Sequence, residues 1–125
     1  MARATGIGGV FFRSNDPEAL RDWYAEHLGL QPDPDGVVVI RWGGDDAGST
    51  VWAPFPADTD YFGERSQTSM VNYRVDDLDA MLGQLRDAGV PVDDQVQAMD
   101  GLGRFGWATD PEGNRFELWE PAAGC

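Results

Sequence analysis

One histidine, one cysteine and no lysine limit the chemistry open to this chain of 125 residues. All nine basic residues are arginine, so Schiff-base chemistry and lysine-bound pyridoxal phosphate are excluded. The lone Cys125 rules out an intrachain disulfide and a cysteine metal cluster. His27 falls within Trp23, Tyr24, His27 and Leu28, near the end of an expected helix, where a partial positive charge suits the dipole. A Ser-His-Asp or Cys-His nucleophile would have to be built around that one imidazole, and none is expected. Arg13 and Arg74 occupy equivalent places in two similar stretches. They could clamp an anion, or pair with acids. Five tryptophans could serve as ligand platforms or as core.

The charge balance is acidic, with a net charge of −13 and a pI near 4.1. That disfavours nucleic acid or an anionic membrane surface as partner, and reads as a solubilising surface. No apolar run approaches the roughly 20 residues needed to cross a bilayer, and no hydrophobic signal segment is seen. A cytoplasmic protein is expected.

The elements come in duplicate. Val10–Asp16 and Val71–Asp77, about sixty residues apart, each read as a strand running into polar and acidic residues. Asn15 or Asp16, then Pro17 and Glu18, predict a helix start. Leu20, Trp23, Tyr24, His27 and Leu28 give that helix one apolar face, and Gly29 ends it. Strands are expected at Val37–Trp42 and Ser49–Ala53, around a turn from Gly43 to Gly48. Pro54–Gln67 is the linker candidate. The second half repeats the plan. A strand over Ser69–Val75 leads to a helix capped by Asp76 or Asp77, with Leu78, Met81, Leu82 and Leu85 on its apolar face and Gly89 as its stop. Strands follow at Val92–Met99, Phe105–Ala108 and Arg115–Glu120, with turns at Asp100–Gly103 and Asp110–Asn114. The chain is therefore expected to be a single α+β domain over 1–125. Module one spans about 5–62, a linker about 54–67 and module two about 68–121, and each module reads βαβββ.

Asn15–Leu20, Tyr73–Ala80 and above all Thr109-Asp110-Pro111-Glu112-Gly113-Asn114-Arg115-Phe116-Glu117-Leu118 resemble the vicinal oxygen chelate superfamily. That superfamily includes glyoxalase I, extradiol dioxygenases and bleomycin and fosfomycin resistance proteins. The resemblance covers nearly the whole chain. It implies paired βαβββ modules in a U-shaped, mostly antiparallel sheet around a cavity, helices on the outer face, and a homodimer. Whether the modules pair within one chain or across the dimer is left open.

The resemblance also implies where metal ligands would stand: seven residues before each helix-capping Asp, and in each module's last strand. Those positions read Gly9, Thr50, Met70 and Glu117, with Thr50 placed by aligning Trp52 with Trp119. Only Glu117 is a ligand that a divalent transition metal favours, so no metal and no other cofactor is expected. Strand alternation from these positions puts Phe11, Arg13, Trp52, Met70, Asn72, Arg74 and Trp119 around the cavity with Glu117. Trp42, Phe105 and Trp107 are further candidates. The expected function is metal-free binding of a small aromatic or hydrophobic compound, as in sequestration. The alternative is a divergent glyoxalase- or dioxygenase-type enzyme with Glu117 as base or metal ligand; a further reading keeps Glu117 only as a relic that makes a structural salt bridge.

Overall fold

A computed structural model describes residues 1–43 and 48–125, so most of the expected turn from Gly43 to Gly48 lies outside the described residues. In chain order the elements are β1 (Ala4–Ser14), α1 (Pro17–Leu28), β2 (Val38–Arg41), β3 (Ser49–Pro56), β4 (Ser69–Val75), α2 (Leu78–Asp87), β5 (Gln97–Met99), β6 (Gly103–Thr109) and β7 (Arg115–Pro121).

Both helices start where local chemistry says they should. The Asp16 carboxylate accepts from the Ala19 amide at 3.1 Å, and Asp77 does the same for Ala80 at 3.0 Å. Gly29 takes φ 72°, a left-handed conformation that closes α1 at little steric cost.

The strands form one sheet in the order β2-β3-β1-β4-β7-β6-β5. The two modules meet edge to edge within a single chain, through the antiparallel pair β1 and β4. On either side of that seam the neighbours are parallel, β3 beside β1 and β7 beside β4. The antiparallel pairs β2/β3 and β6/β7 then match across a pseudo-two-fold axis, with β5 added beyond β6. Module one carries two strands after its helix among the described residues, where three were expected. Val92 makes only an isolated bridge to Ala108, so the expected Val92–Met99 strand shortens to β5.

The helices lie on the outer face. Leu78 and Leu82 of α2 pack with Val75 and Leu118. The apolar face of α1 is only partly used: Tyr24 meets Trp52 at 4.7 Å, while Trp23 and Leu28 stay about half exposed, at 49% and 59%. The inner face holds a second cluster of Phe11, Ala53, Phe62, Met70 and Trp107. No described helix is long and apolar enough to cross a membrane.

The expected linker is not a spacer. β3 continues to Pro56, and residues 57–68 then fold inward, burying Phe62 completely. Arg13 holds them there. Its guanidinium donates to the carbonyls of Ala57, Thr59, Glu64 and Gln67 at 2.5–3.3 Å and lies over the Phe62 ring.

Candidate functional site

The inner face of the sheet encloses a cavity of about 480 Å³, within the usual size range of small-molecule sites. Its walls are largely apolar: Phe11, Val51, Ala53 and Phe55 on one side, Phe105 and Trp119 on the other. Glu117 lies at its polar end with 3% of its surface exposed.

Glu117 is held by neutral donors, with no salt bridge among the described residues. Asn72 Nδ2 donates to Oε1 at 2.6 Å, and Trp107 Nε1 donates to Oε2 at 2.9 Å. The Tyr61 hydroxyl donates to the same Oε2. Strand register explains two of the three donors, because Asn72 and Trp107 are the direct partners of Glu117 on β4 and β6. Tyr61 reaches in from the folded-in linker. Arg115 braces this donor set: it lies over the Trp107 ring, donates to the Tyr61 carbonyl at 3.1 Å, and pairs with Asp93 at 2.8 Å.

Burial, then the charge of Glu117 and the hydrogen bond to it, push the Tyr61 hydroxyl well above the ordinary tyrosine value. A raised folded-state value gives stability that is full below about pH 10 and is lost as pH rises past it, when the unfolded chain ionises first. Denaturation midpoints are therefore expected to fall above about pH 10, and Tyr61→Phe should flatten that fall. An equally steep fall in the variant would assign it to other groups.

The expected cavity residues divide in two. Phe11, Asn72, Glu117 and Trp119 line the cavity. Met70, 1% exposed, is packed in the inner cluster beside it. Trp52 is corrected to the outer face, where Phe12 and Tyr24 contact its ring at 5.3 and 4.7 Å. Thr50 alternates with Val51, and its hydroxyl bonds the Ile7 carbonyl and accepts from Trp42 Nε1. The pseudo-symmetric partner of Glu117 is thus Val51, which faces Gly9 just as Glu117 faces Asn72. The Trp52–Trp119 alignment was one residue out, and a one-residue slip reverses every side chain in a strand.

Register irregularities in β1, between Ala4 and Gly6 and between Ile7 and Gly9, moved the other positions. Gly8 lines the cavity beside Asn72. A Cβ at Gly8 would stand 2.1 Å from Asn72 Oδ1 and 2.9 Å from Trp119, so only glycine leaves room there.

Neither arginine pairs with Glu117 or with another Asp or Glu side chain among the described residues, against the expected pairing with acids. Arg13 braces the linker. Arg74 lies over the rings of Trp42 and Trp119 at 4.8 and 4.9 Å, and its Nη1 donates to Ser49 and Cys125 oxygens. Burial lowers its pKa from the ordinary arginine value, yet a guanidinium stays protonated in proteins. Trp119 is packed on its ring by Arg74 and by Phe105, stacked at 5.8 Å, so it offers a ligand little free ring face. His27 stays on the surface against Trp23.

The fold is similar to a methylmalonyl-CoA epimerase solved with methylmalonyl-CoA and NH4+, with TM-score 0.73 and 18% identity over 98% of both chains. It is also similar to the Streptomyces coelicolor epimerase bound to 2-nitronate-propionyl-CoA, with TM-score 0.72, 18% identity and 98% of both chains covered. The Mycobacterium tuberculosis epimerase gives TM-score 0.62 at 24% identity, covering 95% of this chain and 89% of that one. At such identities the likeness is one of fold. No curated protein matches the sequence closely enough to count as a relative. A family model matches residues 6–118, and with that span the chain belongs to the Glyoxalase/Bleomycin resistance protein/Dioxygenase superfamily.

Proposed function

We propose that this chain binds a small aromatic or hydrophobic compound in the cavity between its modules, without a resident metal. The donor set around Glu117 carries the reading. A structural or catalytic divalent centre wants three or four imidazole, thiolate or carboxylate ligands. Around Glu117 the chain offers Gly8, Val51 and Asn72. The two Glu117 oxygens already accept from three N–H or O–H groups. No three His, Cys, Asp or Glu side chains come together among the described residues. What such a site can do well is enclose an apolar ring and place one polar group against it.

A second reading, an enzyme with Glu117 as general base, draws on the epimerases among the similar structures. It asks Glu117 to take a proton at the acceptor site its three donors leave, on Oε1, where only Asn72 donates.

The test uses a neutral aromatic probe, naphthylmethanol, titrated by calorimetry and by tryptophan fluorescence. Saturable binding at one site per chain is expected. Val51→Phe, which fills the cavity wall, should weaken it at least about tenfold, a loss of roughly 1.4 kcal/mol. Trp52→Phe, on the outer face, should leave it unchanged. Binding that ignores Val51→Phe, or one tightly held divalent metal per chain after purification without affinity metals, would overturn the reading.

A further inference from the structure

The cavity is lopsided in charge. Its charged lining consists of Glu117 inside and Asp33 and Asp35 in the loop before β2, and no basic side chain lines it among the described residues. Arg74 passes close to Gly8, but its guanidinium is turned to the Ser49 and Cys125 oxygens between two indole rings. Glu117, 3% exposed, has neutral donors for all its partners. A buried carboxylate without an opposite charge is costly, and neutral hydrogen bonds offset only part of that cost.

A second observation points the same way. Asn72, 2% exposed, lines the same cavity and gives its Nδ2 to Glu117, which leaves its Oδ1 with no donor among the described residues. The unused hydrogen-bonding capacity at this end of the cavity is therefore accepting capacity. Aromatic walls beside it would receive the rest of a ligand and also favour a positive charge near their faces.

We infer that the ligand is a cationic aromatic compound, an amine or amidine whose N–H groups meet Glu117 while its ring lies among Phe11, Phe55 and Phe105. This rests on the reading of the cavity as a ligand site. The same charges oppose polyanionic ligands such as acyl-CoA thioesters, whose phosphates would enter past Asp33 and Asp35 on a chain of net charge −13.

Three probes share one ring and differ in charge: naphthylmethylammonium, naphthylmethanol and naphthoate. For the unmodified protein the affinity order is expected to be cation, neutral, anion, with at least about tenfold between cation and anion. Added salt should narrow that gap. Glu117→Gln, with folding checked by circular dichroism, should bring cation and neutral probe to within about twofold of each other. Asp33→Asn with Asp35→Asn should lower the cation's association rate more than its residence time. If the neutral probe binds and the anion binds as tightly as the cation, the inference fails and the binding reading stands. An undiminished cation preference in Glu117→Gln also overturns it. If none of the three binds, both fall.

Discussion

Glu117→Leu is expected to destabilise the protein by roughly 3–5 kcal/mol in urea denaturation, although it removes a buried charge. The reason is what it leaves behind. Asn72 Nδ2, Trp107 Nε1 and the Tyr61 hydroxyl all converge on this carboxylate. Each buried donor left without an acceptor costs about 1–3 kcal/mol. Relief from burying the carboxylate offsets part of the sum. Glu117→Gln keeps one acceptor oxygen but turns an N–H₂ group toward donors, so a smaller loss of about 1–3 kcal/mol is expected. If Glu117→Leu cost less than about 1 kcal/mol, water in the cavity would be satisfying the donors, and the carboxylate would not be the centre of the network.

Arg13→Ala is the second large effect. Arg13 makes four hydrogen bonds to carbonyls between Ala57 and Gln67 and covers Phe62, which has no exposed surface. Hydrogen bonds to a charged group contribute about 1.5–3 kcal/mol each, though bonds made by one guanidinium are not additive. A loss of about 2–4 kcal/mol is expected. Residues 57–68 should become readily cut by protease in limited digestion. Because Tyr61 sits in that segment, naphthylmethanol should also bind more weakly. Arg13→Lys should recover only a fraction, since an ammonium cannot reach carbonyls spread around a planar fork. A protease-resistant Arg13→Ala protein within 1 kcal/mol of the parent would show that Phe62 and Tyr61 hold the segment unaided.

The parts legible in the sequence were those settled by short-range chemistry. Asp16, Asp77 and Gly29 act within one helical turn, and each is found in its expected role. The Asp110–Asn114 turn is closed by the Asp110 carboxylate accepting from the Glu112 and Asn114 amides, and it delivers Glu117 into the sheet seven residues later. Trp52 and Thr50 were misplaced because strand alternation carries facing only as far as the register is known. The bulges in β1 and the single-residue alignment error both broke that chain. Tyr61 was not legible at all. Its segment reads as a polar linker, and only Tyr61 and Phe62, apolar in such company, could have hinted that it turns inward.

The duplicated strand-helix pattern, the caps and turns, the acidic charge and the shortage of histidine, cysteine and lysine were determined by the sequence alone, because each depends on residue type or on neighbours a few positions away. Pairing of the two modules within one chain, the neutral cradle around Glu117, the role of Arg13 in folding the linker inward and the packing of Arg74 among indole rings were decided only by tertiary structure. Apart from Trp107 and Glu117, ten positions apart, each joins residues some 30 to 70 positions apart. Such contacts depend on sheet register, and register is set by the sum of packing across the whole sheet rather than by any local signal.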